Sequence, residues 1–458
     1  MKGRIVLACL LLVAPAAAHD EGMGFDPAAD AGLFPDPDEV QAAIDAAADH
    51  PWITVHTVGE SVAGRPIRLL EITDPQAPMP IEDRVVTFVM SQQHGNEPAG
   101  TPAALRILDQ ITAGTGVSAY LDEQVLLLLP QSNPDGSFAV QRANQDGTDI
   151  NRDHVALTTP EARALHDVLN RWDVHMAMDH HEYGGIGLGE PVPVRVYDWD
   201  ITTMMPNHGN VQPVVRDMAD RLNYEHLYPR AQQAGYSIGN YGTVGVGIQG
   251  AFVPLQQTAG GPDPGILRNN YGLNNVVGLL VETFVSAQET PVQSFERRVG
   301  AHTAVMEAVL EFGAIAGQEL IDTKRAAEQA NRDSPMQEYV EGEVRAPRPQ
   351  AYVTGTDITD LWGLHGLPDP LPADGRWLAH ADHGRGGLVS ALLQPESSRS
   401  VADAEAAVAV EAHPQTGQHR DLGPIVPEAE AEEPATETTP APAIALLLAA
   451  LVLAARRR

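Results

Sequence analysis

Val85-Val86-Thr87-Phe88-Val89-Met90, running on through Ser91-Gln92-Gln93 into His94-Gly95-Asn96-Glu97-Pro98, decides how this 458-residue chain is read. The first six residues form an apolar, β-branched run with no polar alternation, which reads as a strand buried on both faces. Pro98 suits the first turn of a helix, where its missing N–H costs nothing. His94 and Glu97 therefore fall on a strand-to-helix loop, the place where function tends to sit, and Gly95 lets the backbone between them fold tightly. Working outward, strand-like and helix-like stretches alternate up to about residue 330. That alternation predicts an α/β fold with a central mixed β-sheet flanked by helices on both faces.

The residue types in the loop have a chemistry in common. Hydrolytic zinc takes three protein ligands from imidazole and carboxylate and keeps a fourth position for water. His94, Glu97 and His181 would supply such a set for one zinc ion, although with 17 histidines in the chain the spacing His-x-x-Glu is weakly specific by itself. A second apolar run, 174–180, leads up to His180-His181. Neighbours on a strand point to opposite faces, so at most one of the two is a ligand. Glu282 lies in a third apolar run, 276–284, where an unpaired carboxylate is costly and calls for a purpose. A salt-bridged core Glu is the alternative. Arg142 and the pair Asn151-Arg152 add a fixed cation and a planar fork with an amide beside it, suited to an oxyanion and to a carboxylate respectively. An ordinary polar turn would also explain Asn-Arg in such a loop.

The order of these pieces resembles the zinc carboxypeptidases of the M14 family, typified by carboxypeptidase A. The matching motifs are Val58-Gly59-Glu60-Ser61 with Gly64-Arg65-Pro66, HGNE from His94 to Glu97, Asn133-Pro134-Asp135-Gly136, Arg142, Asp149-Ile150-Asn151-Arg152, Asp179-x-His181 and Glu282. The resemblance spans about residues 35 to 330. It implies that His94, Glu97 and His181 bind zinc, that Glu282 is the general base, that Arg142 polarises the scissile carbonyl, and that Asn151 and Arg152 hold the terminal carboxylate of a peptide or protein substrate. Two features depart from the family pattern. Asp153 and His154 stand where an aromatic usually follows the Asn-Arg pair, which suggests a more polar pocket floor. The substrate-closing Tyr has only Tyr271 as a candidate, and it lies closer to Glu282 than the family would place it. The stretch 184–213, rich in Gly, Pro and Met, reads as a lid or as a structural insertion.

Composition bounds the rest. A net charge of -32 and a pI near 4.7 exclude nucleic acid and anionic membrane surfaces as partners. Residues 1–18, with Lys2, Arg4, an apolar run over 5–13 and Ala16-Ala17-Ala18, read as a signal peptide. Its removal takes away Cys9, the one cysteine, and with it any disulfide or thiolate chemistry. The expected order is a catalytic domain over 19–333, a small β-rich or irregular extension over 334–426, a disordered acidic linker over 427–442, and a hydrophobic anchor or sorting tail over 443–458 that ends in three arginines. The protein is thus expected to be exported to the periplasm, cell surface or medium, touching a membrane only through its tail. Oligomeric state has no signal in the sequence. The rival readings are a zinc deacylase of the aspartoacylase or succinylglutamate desuccinylase type, acting on N-acyl amino acids, and a non-catalytic surface module.

Overall fold

The computed structural model describes residues 32–184, 199–241, 244–246, 252–254, 261–286 and 288–333, with shorter runs between 337 and 407. The expected signal peptide, acidic linker and C-terminal tail lie outside the described residues, as do residues 185–198 of the expected lid.

Eight strands form one mixed sheet: β1 (Ile53–Glu60), β2 (Pro66–Ile72), β3 (Val85–Ser91), β4 (Gln124–Leu129), β5 (Met176–Gly184), β6 (Ile201–Met204), β7 (Ile238–Asn240) and β8 (Val277–Val285). Their spatial order is β1-β2-β4-β3-β5-β8-β6-β7. The centre, β4-β3-β5-β8, is parallel, and β1, β2 and the β8-β6 pairing are antiparallel. The mixed α/β fold expected from the sequence is therefore what forms. β4, Gln-Val-Leu-Leu-Leu-Leu, is buried at every position, as a central parallel strand must be. Alternate side chains then serve opposite faces. Leu126 and Leu128 join Val89 in one core cluster, while Leu127 and Leu129 join Phe88 and Met90 in another.

Helices cover both faces. α1 (Pro37–Ala47) and α2 (Gly100–Thr112) pack on the first face beside the N-terminal part of the long α8 (Pro291–Asp333). α4 (Pro160–Arg171) and α7 (Leu267–Leu273) pack on the second. α3 (Pro134–Ala139) is one short turn-rich helix, and α5 (Pro213–Asp220) and α6 (Tyr228–Gln233) flank a π-helical turn. Helix starts follow sequence chemistry: the hydroxyl of Thr159 accepts from the Ala162 N–H (3.2 Å) with Pro160 next in line. α8 is a single helix of 43 residues, about 65 Å long at 1.5 Å per residue.

Beyond α8, a four-stranded antiparallel sheet forms from β9 (Ala351–Thr354), β10 (Leu371–Ala373), β11 (Arg376–His380) and β12 (Ala404–Ala407), in the order β10-β11-β9-β12. Two short helices, α9 (Thr359–Leu364) and α10 (Gly386–Leu393), accompany it. This β-rich extension shares a core with the main sheet. Tyr352, Trp362, Leu388 and Leu392 are buried in one cluster with Met178, Val281, Val309 and Phe312. A polar seam runs beside it: Asn275 and Asn331 both donate to the Gly384 carbonyl, at 2.7 and 2.9 Å.

Histidines are an unusual part of this interior. Burial lowers His154 and His365 to about 4 and His180 to about 3, and depresses His166 and His302 well below the free value. A histidine held neutral in the fold titrates near 6.5 once unfolded. As pH falls below about 6.5 the unfolded chain therefore binds more protons than the native one, and stability drops by about 1.4 kcal/mol per pH unit for each such group until its folded pKa is reached. Urea midpoints are expected to fall steadily from pH 7 to pH 4.5. A flat profile across that range would contradict the burial of these rings.

Candidate metal centre and substrate clamp

His94 and Glu97 sit where the loop between β3 and α2 passes the C-terminal end of β3, as expected from the sequence. The approach to His94 is strained: Gln92 has φ 59, a left-handed backbone unusual for a non-glycine residue. Gln92 is held there by its buried side chain, which donates to Gly95 O (3.0 Å) and Ser137 Oγ (2.9 Å) and accepts from Thr101 and Gln131. Gly95 is needed for a reason other than tight folding. A Cβ on it would lie 1.9 Å from the Gly136 carbonyl carbon, so the loop can pass the start of α3 only as glycine.

His181 was expected at the end of its strand. It lies within β5, and its neighbour His180 faces the other way, 2.9 Å (Nδ1 to Nδ1) from His302 of α8, whose Nε2 is 2.9 Å from Thr283 Oγ1. Because β5 and β8 are parallel and in register, His181 lies directly beside Glu282. Sheet pairing thus sets two site residues 101 positions apart on one face.

The three ligand candidates converge. Glu97 Oε1 is 2.8 Å from His94 Nδ1, Glu97 Oε2 is 2.7 Å from His181 Nδ1, and the two Nδ1 atoms are 3.0 Å apart. Among the described residues this is the one group of His, Cys, Asp or Glu whose ligand atoms lie within 4.8 Å of one another. Each imidazole also turns its outer nitrogen to a carboxylate: His94 Nε2 to Asp149 Oδ1 (3.2 Å) and His181 Nε2 to Asp179 Oδ2 (2.9 Å). Such pairs fix tautomer and ring orientation in zinc sites, so the donor set fits a divalent cation. Asp179 stands two residues before His181 on one strand face, a period-2 signal that could have identified its role from sequence.

Electrostatics agree with an ion site. Burial pushes the Glu97 carboxyl up, but the imidazoles of His94 and His181 outweigh it and hold the group well below the usual carboxylate range. Burial works against a charged His181, yet Asp179 and Glu97 raise it well above the free value: the site demands positive charge. Glu282 is 6% exposed, and its Oε2 has no hydrogen-bond partner among the described residues. Burial, then the Glu97 charge, lifts it to about 8. The salt-bridged alternative for Glu282 finds no ion pair among the described residues.

Arg142 follows Val140, another non-glycine residue with positive φ (53). Its Nε donates to Asp149 Oδ2 (3.0 Å) and its Nη1 lies 3.1 Å from His94 Nδ1. Asn151 and Arg152 fall in a 3-10 turn, Ile150–Arg152, capped by the Asp149 carboxylate. Asn151 Nδ2 is 3.3 Å from His181 Nε2, which brings this pair against the metal ligands, and Arg152 is partly exposed.

Two expectations need correction. Tyr271 is no mobile closing residue: it is fully buried in α7, its ring packed where a Gly278 Cβ would be, so it has no route to a cleft. Asp153 and His154 do not make a polar pocket floor. The oxygens of Asp153 accept from the backbone N–H and hydroxyl of both Thr158 and Thr159, and His154 Nε2 meets Gln93 Oε1 at 2.7 Å. Gln93, which the sequence reading passed over, in turn donates to Asp179 Oδ2 (3.0 Å) and so ties this loop to His181.

Comparison with known proteins gives a consistent result. Residues 40–261 match the family model of zinc carboxypeptidase, peptidase M14. Carboxypeptidase 2 of Trichophyton equinum and Carboxypeptidase 2 of Trichophyton rubrum are each 28% identical over 269 residues, 58% of this chain and 49% of theirs. The chain spans about half the length of the curated relatives it matches. Carboxypeptidase A from Helicoverpa armigera superposes with a TM-score of 0.47 at 17% identity, covering 67% of this chain and 79% of that one. The family match encloses the converging His94, Glu97 and His181, and also Arg142, Asn151 and Arg152. By this match, residues 40–261 are similar to the zinc carboxypeptidases of peptidase family M14.

Proposed function

We propose that the protein is an exported carboxypeptidase that removes C-terminal residues from peptides or proteins, using one zinc ion held by His94, Glu97 and His181. The observation that carries this reading is the abutment of two groups: Asn151 touches His181, so a clamp for a terminal carboxylate adjoins the ligand set, with Glu282 beside the same histidine. Bound there, zinc would acidify a water, polarise a carbonyl and draw the Glu282 pKa down toward neutrality. Glu282 takes the proton of the attacking water and hands it to the leaving amine. Arg142, fixed by Asp149, faces the negative charge that develops on the former carbonyl oxygen. Arg152 and Asn151 grip the substrate carboxylate with a charged fork and an amide. Export rests on the N-terminal segment alone, and tethering on the C-terminal tail.

The test is mass spectrometry of a peptide mixture after incubation, with and without a zinc chelator. Loss of single residues from free C-termini, abolished by chelator, is expected; cleavage of N-acyl amino acids in preference to peptides would transfer the protein to the deacylase class. Arg152→Ala is expected to raise KM for free-C-terminal peptides by about 10- to 100-fold, the size of a charge-assisted hydrogen bond, while barely affecting amidated ones. Equal effects on both would remove Arg152 from the clamp.

A further inference from the structure

The loop that carries Asn151 and Arg152 is held from three directions. From α7 and its N-terminal edge, Leu267 N donates to Asn151 Oδ1 (2.9 Å) and Asn270 Nδ2 to the His154 carbonyl (2.9 Å). Within the loop, Asp153 is fastened to Thr158 and Thr159. The third hold comes from the C-terminal extension. His365, which caps α9, sends its Nε2 to the Val155 carbonyl at 2.9 Å, across 210 positions of sequence.

His365 is fully buried and belongs to a cluster of three imidazoles. Its ring meets His166 edge-on (centroids 5.1 Å apart, 85°), and His166 stacks on His154 (5.5 Å, 20°). His154 Nδ1, His166 Nε2 and His365 Nδ1 have no hydrogen-bond partner among the described residues. The cluster is not a second metal centre, because its nitrogens do not converge as those of the triad do. The rings pack as neutral aromatic bodies, and what histidine adds over an apolar side chain is the pair of bonds leaving the cluster. One runs from His365 to Val155, the other from His154 to Gln93, which adjoins His94 and contacts Asp179.

We propose that His365 is a positioning residue for the carboxylate clamp: through Val155 and the stacked rings of His166 and His154, the extension seats the loop that carries Asn151 and Arg152, and so sets affinity for the substrate's C-terminus. The proposal rests on the carboxypeptidase reading above. It gives the extension, which lies outside the residues matched by the family model, a share in substrate binding.

In the full chain, His365→Leu keeps bulk and removes the donor, while His365→Gln keeps an N–H donor near the Nε2 position. His365→Leu is expected to raise KM for a peptide with a free C-terminus about five- to tenfold, the reach of one buried hydrogen bond, with kcat within about twofold. His365→Gln should return KM close to the parent value, and the amidated peptide should not distinguish the three proteins. If the Leu variant does not fold, His365→Asn, whose amide falls short of Val155, takes its place beside the Gln variant. Unchanged KM in a folded donor-less variant, or a rise that Gln fails to reverse, overturns the inference. A parent enzyme with no preference for free over amidated C-termini overturns the functional reading instead, whatever the variants do.

Discussion

Glu282→Gln is expected to bind zinc as the parent does and to lose about a thousandfold or more in kcat. The amide keeps the shape of the carboxylate and touches none of the three ligands' contacts, so the ion site stays whole while the proton acceptor disappears. A second consequence separates this from general damage. In the metal-free protein burial and Glu97 hold Glu282 at about 8, against about 4.3 for a free Glu, so keeping the folded state costs stability at pH values above the free pKa. The sign is the reverse of the usual paired carboxylate. Metal-free Glu282→Gln should therefore melt higher than the metal-free parent at pH 7, with the gap closing as pH falls toward 4. Turnover within tenfold of the parent would remove Glu282 from the proton transfer.

Trp362→Ala is expected to lower folding stability by about 3–5 kcal/mol, read as a shift of the urea midpoint followed by circular dichroism. Trp362 is 1% exposed and heads the largest fully buried side chains, yet it lies in the extension, in α9, three residues before His365. Its indole packs in the cluster that also holds Met176, Val281 and Phe312 of the main sheet and α8. Against a domain stability of about 5–15 kcal/mol, a loss of that size is a large fraction of the total. Were the extension a separable appendage, the same substitution would melt it alone and leave zinc binding and activity intact.

Much of the site was legible because its residues lie on regular elements or at their ends. The run before His94 shows a strand, Pro98 shows where a helix begins, and strand parity shows that one of His180 and His181 must turn away. Glu282 stood out as a charge in an apolar strand. The register of β5 against β8 was not legible, since nothing in either run says which residues will sit side by side, and that register is what brings Glu282 to His181. Tyr271 was misjudged because helical burial depends on what packs above it: Gly278 leaves the space its ring fills. His365 and Gln93 gave no local signal, because their hydrogen-bond partners are 61 to 210 positions away. The extension was read as β-rich or irregular from its short β-rich pieces and its Pro and Gly content, which speak to strands and turns and not to whether the apolar residues between them find a common core.

The pairing of β5 with β8 has one more implication. His181 and Glu282, the proposed metal ligand and proton acceptor, face each other across one rung of a backbone ladder, so their separation is a property of peptide geometry and not of any connecting segment. Insertions and deletions in the long connection between those strands would leave that spacing fixed, so the chain around the pair can vary in length without moving one residue from the other.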